Sequence, residues 1–104
     1  MIRIHAKTRY LDNDAELKFN HYSNGSIAIY LLDPQTGERL SVATVALDEL
    51  PDKGCVFLKG WSENQGIPEC LVKEGVVELT GKKIKTGFCE ALEAKLLINL
   101  EKEL

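Results

Sequence analysis

The run Ile27-Ala28-Ile29-Tyr30-Leu31-Leu32, followed at once by Asp33-Pro34-Gln35-Thr36-Gly37 and then by Leu40 to Leu47, constrains this chain more than any other feature. Six consecutive apolar residues, rich in β formers, read as a strand covered on both faces. Pro34 presets φ for a tight turn, and Gly37 accepts positive φ. The second run has similar β character. Together they predict a hairpin near the centre of a sheet.

The flanking segments extend that sheet. Ile2, Ile4, Ala6, Thr8 and Tyr10 alternate with Arg3, His5, Lys7 and Arg9, which is the period of a half-exposed strand with a basic outer face. Asp12-Asn13-Asp14 reads as a turn. Leu17, Phe19 and His21 alternate with Lys18 and Asn20 as a second strand, and Asn24-Gly25 carries a hairpin signal. After a polar connection from Asp48 to Gly54, Val56-Phe57-Leu58 forms a short strand closed by Gly60. Trp61 to Gly66 reads as a loop. Ile67 to Glu74 predicts one short helix: Pro68 suits its first turn, Ile67, Leu71 and Val72 share a face, and Gly75 ends it. Val76 to Leu79 is followed by Thr80 to Gly87, a basic loop between glycines.

The final segment carries two periods. Phe88, Leu92, Leu96 and Leu100 fit a helix face, as does the Ala, Leu, Glu and Lys content. Phe88, Leu92, Ala94, Leu96, Ile98 and Leu100 also fit a strand, with Glu90 as the exception, and the preceding Gly87 favours that reading over about 88–98. The chain as a whole predicts an α+β fold, mainly an antiparallel sheet of about five to six strands with one or two short helices. Its 104 residues make a single domain, 1–104, large enough for one core without staples.

Charge and cysteine usage narrow the function classes. The net charge is −3, and every Asp lies in the first half. Such a chain has no long-range attraction for nucleic acid, so no direct nucleic-acid binding is expected. Cys55, Cys70 and Cys89 are odd in number, widely spaced and without a C-x-x-C pair, which does not make a disulfide framework. The first residues lack an apolar signal region, and no apolar run approaches membrane-spanning length. The expectation is a cytoplasmic protein with reduced thiols.

Candidate chemistry is sparse. His5, His21 and the three cysteines lack the close ligand pairs of a zinc site, so neither a metal nor another cofactor is expected. Asp12, Asp14 and Glu16 have the alternation that opens a calcium loop, but the required Gly and the downstream Glu are missing. They read either as a solvated turn or as an acidic patch that fills a phosphate-binding groove. Asp48, Glu49 and Asp52 add further carboxylates. Thr80-Gly81-Lys82-Lys83 lacks the first Gly of a phosphate loop, and its lysines read as a solvated face. Trp61 reads either as an interface anchor or as a cap on the core edge. No catalytic residues are assigned.

Asn24-Gly25-Ser26-Ile27-Ala28-Ile29-Tyr30-Leu31, Asp33, Gly37-Glu38, Thr44-Val45-Ala46-Leu47 and Leu50-Pro51 form a recurring pattern. It continues with the Phe57 strand, the Ile67–Gly75 helix, Thr80-Gly81 and Thr86-Gly87-Phe88-Cys89. Over roughly residues 20–92 the chain resembles a family of small domains encoded by bacterial phages, conjugative elements and gut-bacterial genomes. Many of those domains carry Asp-Thr-Asn-Asn after the Phe strand, where this chain has Lys59-Gly60-Trp61-Ser62. They also carry a Tyr-Pro step where it has Glu90-Ala91-Leu92. The resemblance implies a mobile-element accessory protein, a setting that includes anti-CRISPR proteins.

The expectation is therefore a non-enzymatic binding protein that inhibits a host defence nuclease complex, most directly a CRISPR effector, by occlusion. Its partner-binding residues would be Asp12, Asp14, Glu16, Asp48, Glu49, Asp52 and Trp61, facing the groove of a nucleic-acid-binding protein. A structural or assembly role in a phage or conjugative element is a second expectation. A thiol-dependent hydrolase pairing one Cys with His5 or His21 is a third. The exposed edges of a short sheet also invite a homodimer.

Overall fold

A computed structural model describes residues 2–103. The alternation of the first half becomes an antiparallel meander of β1 (Ile2–Lys7), β2 (Asp12–His21), β3 (Ile27–Leu32) and β4 (Arg39–Val42), in that spatial order. The second half supplies β5 (Cys55–Leu58), helix α1 (Ile67–Lys73), β6 (Val77–Thr86) and β7 (Cys89–Leu96), with sheet order β5-β7-β6. Short 3-10 turns occupy Ser62–Asn64 and Leu100–Lys102. The class is α+β and mainly antiparallel, but the described residues form seven strands in two sheets rather than five to six.

One core joins both sheets. Ile4, Leu17, Phe19, Ile29 and Leu31 come from the first sheet, Val56, Leu58, Val77 and Ala94 from the second, and Ile67 and Leu71 from α1. The helix packs against β1 and β6, the outer strands of the two sheets. It follows the expected bounds closely, with Gly75 at φ +74 just beyond its end. Val72, expected on its buried face, is 40 % exposed, because only Ile67, Pro68 and Leu71 turn inward on so short a helix.

Four local expectations are corrected. Asp12-Asn13-Asp14 is the start of β2, not a turn; the reversal lies at Thr8–Leu11, where the Thr8 hydroxyl accepts the Tyr10 and Leu11 N–H groups. The register explains this: Lys7 faces Asp12, His5 faces Asp14 and Arg3 faces Glu16, so opposite charges meet across the ladder. The run Leu40 to Leu47 is not one strand. Its ladder with β3 ends at Val42, with the Ala43 N–H still donating to the Ile29 carbonyl at 2.9 Å, and Thr44 then bridges to Leu58 while the Val45 N–H donates to the Phe57 carbonyl at 3.0 Å. Thr44 makes the transfer: its Oγ1 accepts the Ile29 N–H at 3.0 Å and meets the Tyr22 hydroxyl at 2.9 Å, replacing the ladder partner that β3 loses.

The expected basic loop Thr80 to Gly87 is strand as far as Thr86, interrupted by a bulge between Leu79 and Lys83 where Gly81 has φ +92. The ambiguous last segment is strand β7, as preferred. Phe88, counted on its inner face, instead sits in the turn.

Candidate functional site

The acidic residues of β2 lie on its solvent face and are already paired there. Glu16 Oε1 accepts from Arg3 Nη2 at 2.8 Å. The His5 ring lies between two carboxylates, with Nδ1 2.8 Å from Asp14 Oδ1 and Nε2 2.8 Å from Asp12 Oδ1. Only the imidazolium donates at both nitrogens. Hydrogen bonds first to Asp14 and then to Asp12 therefore raise the His5 pKa above its ordinary 6.5. Because the folded value exceeds the unfolded one, the clamp's stabilisation is complete below the unfolded pKa and is lost as pH rises through the folded one. An NMR titration is expected to place the His5 midpoint above 6.5, with His5→Gln removing the matching loss of stability on the alkaline side. A midpoint at or below 6.5 contradicts the clamp.

The other acidic group lies elsewhere. Leu50, Pro51 and Asp52 line a groove with Asn24 to Ile27, at the hairpin end of β2, and Asn24 Nδ2 donates to the Leu47 carbonyl. Asp14 shares a pocket with Arg3, Asp33 and Pro34 at the opposite end. Asp14 and His21 are separated along β2 by roughly 23 Å at ~3.3 Å per residue. The structure thus does not bring Asp12, Asp14 and Glu16 together with Asp48, Glu49 and Asp52. Glu49 is itself paired with Lys82 Nζ at 2.9 Å. Trp61 is partly buried and precedes the 3-10 turn at Ser62–Asn64.

The segment carrying Asp52 is held over β7 by Glu93, a residue that sequence reasoning passed over. Glu93 is 2 % exposed; its Oε2 accepts the Asp52 N–H at 3.2 Å and its Oε1 accepts the Thr80 hydroxyl at 2.8 Å. Burial, then the Glu93 and Asp52 charges, push the Cys55 thiol up, which disfavours a thiolate. The Cys70 thiol donates to the Lys7 carbonyl at 3.3 Å. Neither His5 nitrogen faces a thiol, and among the described residues no group of three or more His, Cys, Asp or Glu is placed to hold a metal ion. No described helix is long and apolar enough to cross a membrane.

The feature without an internal role is the tip of the β6–β7 hairpin. Its last three pairs, Ile84 with Ala91, Lys85 with Glu90 and Thr86 with Cys89, extend past β5, whose pairing with β7 stops at Leu92. Gly87 has φ +63, and Ser62 is the one non-glycine with positive φ among the described residues, so Gly87-Phe88 forms a type II′ turn. Phe88 at this tip is 108 % exposed. Lys83 and Lys85 flank it and have no ion-pair partner among the described residues. The signal was present in the sequence as Gly-Phe directly after a lysine-rich stretch.

Comparison with family models, curated proteins and solved structures finds no match.

Proposed function

We propose that this chain is a non-enzymatic binding protein that acts by occlusion, with the β6–β7 hairpin as its contact element. A host defence nuclease complex, within that class a CRISPR effector, is the target that the resemblance to mobile-element accessory domains implies. The observation that carries the binding reading is Phe88. A whole aromatic ring stands in water on a two-residue turn where any polar residue would serve the fold equally well. Covering such a ring contributes ~1.5–3 kcal/mol, and buried aromatics dominate the energetics of protein interfaces. The separated acidic groups favour this element over one continuous acidic face, since Asp12, Asp14, Glu16 and Glu49 are engaged within the chain.

Phe88→Ser is expected to keep the thermal midpoint and to weaken inhibition of a guide-loaded effector at least tenfold. Reversing Asp48 and Asp52 is expected to change it much less. A Phe88→Ser variant as inhibitory as wild type removes the hairpin from the account. An effector unaffected by the wild-type chain removes that target.

A further inference from the structure

Each other outer strand has part of its edge occupied. At β1 the His5 N–H donates to Glu74 Oε1 at 3.3 Å and the Lys7 carbonyl accepts from Cys70. At β4 the Val42 carbonyl accepts from Asn64 Nδ2 at 2.7 Å. At β5 the 43–45 segment bonds to Phe57 and Lys59. Along β6 the turn geometry decides which groups face out. The closing pair of a two-residue hairpin, Thr86 and Cys89, exchanges both of its hydrogen bonds, and the alternation makes Ile84 and Ala91 the next bonded pair. Lys83 and Lys85 therefore turn their N–H and C=O groups away from β7, toward solvent.

We infer that this edge docks an extended acidic segment of a partner protein as an added strand beside Lys83 and Lys85, with Phe88 covered at its end. The inference rests on the hairpin being the contact element and names the chemistry it selects. Segment 80–90 carries three lysines against Glu90 alone, on a chain of net charge −3. Glu49 occupies Lys82, and Glu90 faces Lys85 across the ladder without an ion pair, so among the described residues Lys83 and Lys85 keep the capacity to meet charge from outside. A second copy of β6 paired about Ile84, so that the outward groups of both strands meet, would set lysine against lysine, a destabilising cross-strand arrangement. A nucleic-acid strand offers phosphates but no peptide groups for the free ladder positions. A strand with carboxylates at alternate positions satisfies both requirements, and the lysines reject basic competitors.

The test uses the full chain and two capped eight-residue peptides, one alternating Glu with Val and the other Lys with Val. Binding is read by fluorescence anisotropy and by amide shifts. The Glu peptide is expected to bind at least tenfold more tightly and to shift the amides of residues 82–88. The double variant Lys83→Glu/Lys85→Glu, both at exposed positions, is expected to invert that preference. Lys83→Pro, which removes an outward N–H and no ladder bond, is expected to abolish binding of either peptide. Equal affinity for the two peptides, a preference that survives the double reversal, a dimer in solution that hides the edge, or tighter binding of a single-stranded oligonucleotide each overturns the inference. Partner capture that needs Phe88 but ignores the reversal also overturns it while leaving the binding role intact; capture that ignores both removes both.

Discussion

Asn64→Ala is expected to lower stability by about 3 kcal/mol, which lowers the melting temperature by roughly 10–20 °C in a domain of this size. Asn64 is 3 % exposed and makes three bonds at once. Its Oδ1 accepts the Ser41 hydroxyl at 2.7 Å, and its Nδ2 donates to the carbonyls of Val42 at 2.7 Å and Lys59 at 3.2 Å. The side chain thereby closes the edge of β4 and fastens it to the chain leaving β5. Alanine leaves two carbonyls and a hydroxyl short of a partner, and unmade buried bonds cost more than made ones contribute. Asn64→Asp tests the cause: it retains the acceptor for Ser41 but replaces the donor with an oxygen facing two carbonyls, so it should destabilise at least as much as alanine. Urea unfolding measures both. A loss below about 1 kcal/mol for Asn64→Ala would mean that the 59–64 segment does not hold β4 as described.

Glu93→Ala is the second large effect, at about 2–3 kcal/mol. It removes the acceptor for the Thr80 hydroxyl and the Asp52 N–H together, and it opens a space beneath the 46–54 segment. The consequence is local as well as global. Hydrogen exchange at Asp52 and its neighbours should accelerate more than exchange in β2, because the connection loses its side-chain tie to β7 and keeps only the Leu96 N–H to Gly54 carbonyl bond there, while the first sheet keeps its own ladder. Glu93→Gln retains an oxygen for one of the two donors and should fall between alanine and wild type. Equal acceleration in both sheets would show that Glu93 acts on the core as a whole instead of on this connection.

The elements that sequence located were those whose cause lies within a few residues. Asn24-Gly25 and Asp33 to Gly37 make their turns from their own φ preferences, and Gly75 ends α1 at φ +74. The elements it misjudged depend on distant partners. Asp is a poor strand residue, yet Asp12 and Asp14 are strand because Lys7 and His5 lie opposite them. The extended run through Leu40 and Leu47 has one period throughout, and nothing within it reveals that Thr44 transfers the chain from β3 to β5. Glu93 reads as one more charge in a Glu- and Lys-rich segment, because its two donors lie 41 and 13 residues away. Phe88 fitted an alternating apolar face by number alone. Gly87 turns the chain one residue earlier and leaves the ring in solvent.

Hydrogen exchange of the chain, free and bound to its partner, measures the contact element most directly. The amides of residues 83–90 should gain the largest protection on binding, with those around Asp12–Glu16 and Asp48–Asp52 changing little. Protection concentrated at either acidic group, with the hairpin exchanging as fast in the complex as alone, would contradict the account.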